Sequence, residues 1–272
     1  MKNIDVKKWN MYLTLISIIN LSIFISYYFY NEKTFNKLDN KLAILVFIYT
    51  YICAIRAIWP RVEGPNICLS NEFISLPIIG RTLATFAEVC FAVLFVMVTN
   101  KLILNSSKNN FLKNYNFLLY SWNGSLVYLI VLAQIFCWIG IITTNPKYNV
   151  YEESIWTFFG ISKIIIYSLI YYHLGYKQKN LKYTIPIILI CLLVFIFFMI
   201  KVDVPMYMKR ANEHKENKNL SFLQGIINIC KCSKITCFYN DWKEDIPWLS
   251  AYFTFAVWFA FGLFLFQKKI KN

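Results

Sequence analysis

The chain is short of histidine, glycine and charge. Among 272 residues there are 2 His and 8 Gly, and only 15% are charged. Each scarcity excludes something. Membrane desaturases, hydroxylases and ceramidase-like hydrolases need several His as metal ligands, and His173 and His214 are too few; a bis-His haem fails on the same ground. No Gly-rich phosphate loop, Gly-x-Ser-x-Gly elbow or nucleotide motif occurs. The stretch 250–266 holds no Lys, which excludes a retinal Schiff base in the last helix. The Asp-Arg-Tyr and Asn-Pro-x-x-Tyr motifs of G-protein-coupled receptors are missing. No cofactor and no metal is implied. Heptads and internal repeats are absent too, which disfavours inverted-repeat transporters.

What is abundant is apolar surface. Hydrophobic residues make up 58% of the chain and aromatics 19%, against roughly 45–50% apolar and 25% charged in soluble domains. A soluble core cannot hide that much, whereas a bilayer can. A transmembrane helix needs about 20 mostly apolar residues, and seven stretches come close: 11–30, 42–59, 80–104, 118–142, 154–176, 183–200 and 247–267. The expected fold class is therefore all-α, a single polytopic bundle of seven helices with a long loop at 201–246. The first stretch, after Lys2, Lys7 and Lys8, has the basic start of a signal peptide. Its apolar run is longer than the usual 7–15 residues and no small-x-small site follows, so a retained helix is expected.

Charge sets the expected orientation. The net charge is +14, and it does not read as nucleic-acid binding, because the lysines sit between apolar runs. Lys33, Lys37 and Lys41, then Lys101, Lys108 and Lys113, then Lys177, Lys179 and Lys182, and finally Lys268, Lys269 and Lys271 all fall on one side, with only Glu32 and Asp39 as acids. By the positive-inside rule that side is cytoplasmic, which puts the N-terminus outside or in a lumen and the C-terminus inside. The membrane is the plasma membrane or an endomembrane. Of eight cysteines, Cys53, Cys90, Cys137 and Cys191 lie within helices. Cys68, Cys230, Cys232 and Cys237 lie in outer loops, and four loop cysteines in an oxidising compartment suggest two disulfides. Zinc on Cys230, Cys232 and Cys237 is the weaker alternative, since no His or CxxC pair stands nearby. The sequon at Asn219 falls in the same outer loop.

Charged residues in or beside a membrane are costly and are functional candidates by default. Arg56, Arg61 and Arg81 gather at outer helix ends, and Glu88 shares a helical face with Arg81. Glu152 and Glu153 precede the fifth helix, Asp203 closes the sixth, and Asp241 leads toward the seventh. Some of these acids also fit as helix caps, and Trp59, Trp156, Trp242 and Trp248 as an interfacial belt. Glu88, Gln134 and Lys163 each lie about eight to ten residues from an outer helix end, which at about 1.5 Å per residue forms one layer and invites a Glu88–Lys163 ion pair. Such a pair fixes packing, or it serves a ligand or proton site beneath Arg56 and Arg81. Guanidinium groups suit a phosphate or carboxylate guest.

Three blocks carry a resemblance: Arg56-Ala-Ile-Trp-Pro-Arg61 with Cys68-Leu-Ser and Gly80-Arg-Thr-Leu-Ala-Thr-Phe-Ala-Glu-Val-Cys-Phe91; Asp203-Val-Pro-Met-Tyr207; and Asp241-Trp followed by Pro247-Trp-Leu-Ser. Together they cover about half the chain and resemble a group of multi-helix membrane proteins with no established activity. The resemblance implies a fold and no function. From the hydropathy and the Arg cluster, the expected partners are the bilayer and a lipid or small anionic ligand, with no nucleic acid. The readings left open are a lipid or anion binder or enzyme at the outer face, a transporter or channel using the Glu88, Gln134 and Lys163 layer, and a receptor-like or structural protein.

Overall fold

A computed structural model describes residues 5–270 apart from 64, 107–109, 176–178 and 215–218. The expected helix end at Tyr176 and the expected inner residues Lys108, Lys177 and Lys271 lie outside the described residues. The fold is all-helical, with seven helices long and apolar enough to cross a membrane. They are α1 (Val6–Asn31), α2 (Lys37–Ile58), α3 (Pro77–Ser106), α4 (Asn110–Thr143), α5 (Lys147–Ile170), the joined α7 (Thr184–Phe198) and α8 (Val204–Glu213), and the joined α11 (Ile246–Phe253) and α12 (Phe255–Lys269). Between them stand α6 (Lys179–Lys182), α9 (Phe222–Ile229) and α10 (Tyr239–Trp242). Long apolar runs with few internal glycines favour helices that satisfy their own backbone. Caps set the starts. The Asp5 carboxylate accepts the Lys7 and Lys8 amides, and Asn36 with Asp39 forms a capping box for α2.

The sixth long helix runs past its expected end at Ile200 to Glu213. A π-turn at Met199–Asp203 joins its halves. Pro205 lacks an amide and its ring crowds the carbonyl four residues back, at Lys201. The widened turn absorbs that conflict, and the polar α8 continues where hydropathy gives no signal.

Each helix packs beside its neighbour in sequence from α1 to α5, α7 packs on α5, and α12 returns to α2 and α3. Apolar side chains on α1 and α7, such as Leu15, Ile19, Ile190 and Leu193, remain exposed. In water these would be unfavourable patches; against lipid they are not.

One end of the bundle carries a cap. β1 (Arg61–Val62) pairs antiparallel with β2 (Ile67–Cys68), and β2 pairs parallel with β3 (Lys234–Ile235). Asn66 turns the hairpin with a left-handed φ of 52°, which asparagine tolerates. Cys68 is bonded to Cys232, 164 residues away. There is one such disulfide among the described residues, where two were expected. Cys230 ends α9 and Cys237 follows β3, and both are free and exposed. Because Cys232 is spent in the disulfide, the three-cysteine zinc alternative also falls. Buried Trp242 donates to the Thr236 carbonyl at 2.9 Å and lies 6.1 Å from the Trp9 ring. Thus the start of α1 and the loops before α3, α5 and α11 meet at this cap end. At the far end Lys101 reaches the Gln267 carbonyl at 2.8 Å, and Lys268 lies 3.9 Å over the Phe35 ring.

Candidate functional site

Beneath the cap, six elements bring polar groups together. Arg81, in the second turn of α3, is 3% exposed. Its Nη1 lies 3.0 Å from Glu63 and 3.7 Å from Glu152, and its Nη2 lies 3.3 Å from Glu88. Gln134 of α4 accepts from Arg81 and donates to Glu88 at 2.7 Å. Glu63, on the β1–β2 turn, uses its other oxygen to hold Arg56 of α2 at 3.0 Å. Arg56 also stacks against Tyr252 and Phe253 of α11, 5.3 and 5.6 Å from their rings. The Tyr252 hydroxyl reaches Glu88 at 3.5 Å. One carboxylate therefore bridges two guanidiniums, and one guanidinium gathers three carboxylates. Burial pushes the Glu63 carboxyl up, but the Arg81 and Arg56 charges outweigh it and hold it near 2.

The expected residues divide into groups. Arg56, Arg81, Glu88, Gln134 and Glu152 converge. Arg61 turns away from them: its guanidinium lies over Gly80, where a Cβ would sit 1.2 Å from it, and donates to the Leu76 carbonyl at 2.8 Å. Glu153 of α5 neighbours Asp203 of the π-turn, where those two elements pack together. Asp241 belongs to the cap surface, paired with Lys234 at 2.7 Å.

Lys163 corrects the expected layer. It makes no ion pair with Glu88. Its amine donates to Asn123 at 2.5 Å and to Thr99 at 3.3 Å, between the rings of Phe95 and Phe159. The reason is helix length. α5 starts at Lys147 rather than at 154, so Lys163 lies about 24 Å along it, against about 17 Å for Glu88 along α3 and about 14 Å for Gln134 from the end of α4.

A cavity of about 250 Å³ adjoins the cluster, bounded by α3, α5, α7 and the α11–α12 helix. Arg56, Arg81, Glu88 and Glu153 line its cap end, whereas Phe91, Phe159, Phe195 and Phe259 line the rest. Val194 of α7 and Phe255 of α12 both line it and are 55% and 45% exposed, so it opens sideways between those two helices. Near the cap these helices meet through a Phe198–Trp248 stack at 5.8 Å and an Arg210–Asp245 pair at 2.7 Å. Sequence reasoning missed Glu63, Tyr252 and Tyr207. Glu63 carries no local signal, since only the hairpin turn aims it inward.

Comparison of the chain with protein-family models, with curated proteins and with solved structures gives no match. The site's own geometry therefore carries the functional reading.

The Glu63 ion pairs yield a pH prediction. A carboxyl depressed on folding stabilises the fold above its ordinary range near 4.5, and that stabilisation is lost as pH falls toward 2. The thermal midpoint of the purified protein should therefore fall between about pH 5 and about pH 2. Glu63→Gln should lower stability at neutral pH by about 3–5 kcal/mol, because it leaves Arg56 uncompensated, and should flatten that acid limb. An unchanged acid limb in this variant would mean the bridge is not formed.

Proposed function

We propose that this is a multi-pass membrane protein that binds an amphiphile, lipid or lipid-like, in the cavity beside the Arg81 cluster. The observation that carries the reading is the cavity's two-part lining with a sideways mouth. Its cap end is ionic and hydrogen-bonding, its remainder is aromatic and aliphatic, and its mouth at Val194 and Phe255 lies midway along apolar helices. A polar headgroup would meet the first part. A chain would fill the second and leave through the mouth into hydrocarbon. A volume of about 250 Å³ falls just below the roughly 300–1,000 Å³ of drug-sized ligand pockets, which suits a headgroup and the first part of a chain. The guanidiniums favour an anionic guest less than the sequence suggests, since Arg81 and Arg56 are already paired with carboxylates.

The proposed orientation places the cap outside or in a lumen and the lysine-rich end in the cytoplasm. The lysine distribution supports it. So does a disulfide at the opposite end, which calls for an oxidising compartment. In intact cells or sealed vesicles a membrane-impermeant maleimide should label Cys230 and Cys237 from the cap side and leave a Lys269→Cys probe unlabelled until the membrane is opened. The reverse pattern would invert the topology.

Native mass spectrometry of the delipidated protein tests the binding reading. Added lysophosphatidylcholine should be retained at one copy per chain. Val194→Trp and Phe255→Trp, which obstruct the mouth, should lose it, while Tyr128→Trp on the exposed face of α4 should keep it. Equal retention by all three variants would place the bound molecule on the outer surface and refute the cavity.

A further inference from the structure

The cavity's charges do not balance. Its lining holds three guanidiniums, Arg56, Arg61 and Arg81, and five carboxyls, Glu63, Glu88, Glu152, Glu153 and Asp245. Arg81 and Arg56 take up the first three carboxyls, and Arg210 holds Asp245 at 2.7 Å. Glu153 has no cation within ion-pair distance among the described residues. It is only 6% exposed, yet it lines the cavity. Behind it Asp203 is 1% exposed, and no side-chain or backbone donor reaches either of its oxygens. Carboxylates buried without a cation or donor are expensive.

Aromatic side chains line the cavity that Glu153 faces, while the Arg210–Asp245 ion pair stands on the α8–α11 side. Trp156 lies one turn beyond Glu153 on α5, Tyr207 comes from α8, and Trp248 stacks on Phe198. Tyr207 lines the same cavity, with the Arg210 guanidinium 5.5 Å over its ring. Aromatic faces beside unpaired carboxyls form a site for an organic cation, because ring quadrupoles and carboxylates attract the same charge. The π-turn at Met199–Asp203 sets Asp203 against Glu153 here, and such turns often mark functional positions.

We propose that the Glu153–Asp203 pair, with Trp156, Tyr207 and Trp248, receives the positively charged amine, protonated or quaternary, of the bound amphiphile. This rests on the amphiphile reading above and names its headgroup. On binding, the ammonium supplies the cation that Glu153 lacks. The headgroup's other polar atoms then face Arg56 and the outer edge of the Arg81 cluster.

Three probes on the nanodisc-reconstituted full chain separate the readings: hexadecyltrimethylammonium, hexadecyl sulfate and choline. The cationic chain should bind at least about tenfold more tightly than the anionic one, as expected for ionic and cation–π contacts in a desolvated site. Glu153→Gln with Asp203→Asn should remove that preference and leave sulfate binding unchanged. Equal binding of both chains to the unaltered protein would overturn the amine assignment while leaving the amphiphile reading standing, and needs no variant to fold. If neither chain binds, the amphiphile reading itself fails. Choline binding as tightly as the cationic chain would keep the amine site but assign it to a water-soluble guest, and would also overturn the amphiphile reading.

Discussion

Everything at the cap end depends on how one buried guanidinium is neutralised. Taking Arg81 out of water costs several kcal/mol unless carboxylates accompany it, and Glu63, Glu88 and Glu152 do so from the cap hairpin, α3 and α5. In a bilayer, apolar helices gain nothing from hiding their side chains from lipid that is just as apolar, so close packing and polar contacts must hold them together. The node joins α2 through Arg56, α4 through Gln134 and α11 through Tyr252. Five long helices are thereby tied at one level without filling the space between α5, α7 and α12. The cavity is what that arrangement leaves open.

The cap serves the node. Glu63 can bridge Arg56 and Arg81 only because a short hairpin aims it inward, and the Cys68–Cys232 bond with β3 holds that hairpin down. Arg61 anchors the hairpin's other side by lying across Gly80, where any side chain would displace it. The ion pair of Arg210 with Asp245 closes the gap between α8 and α11 at the cap, so the cavity opens lower down, between Val194 and Phe255.

Much of this was legible in the sequence, and the rest was hidden for physical reasons. Seven helices follow from hydropathy, because long apolar runs have few alternatives. The convergence of Arg56, Arg81, Glu88, Gln134 and Glu152 was legible as charge collected at the same helix ends. Four features were not. The α8 extension is polar and lies beyond a proline, where hydropathy and propensity both point to a loop. The depth of Lys163 is hidden because the apolar edge is not the helix start: α5 begins seven residues earlier, at Lys147 rather than at 154. Glu63 depends on the fold of a hairpin turn, which no periodicity encodes. Disulfide number was overcounted because cysteine parity says nothing about which thiols face one another; Cys230 and Cys237 point outward.

The central claim is that Glu63 and Arg81 form a buried pair on which the cap end depends. A double-mutant cycle of Glu63→Gln and Arg81→Met, read by thermal or denaturant unfolding in one defined detergent, measures it directly. The account predicts a coupling free energy of about 1–3 kcal/mol, with each single change strongly destabilising. Additive effects, with a coupling indistinguishable from zero, would contradict it.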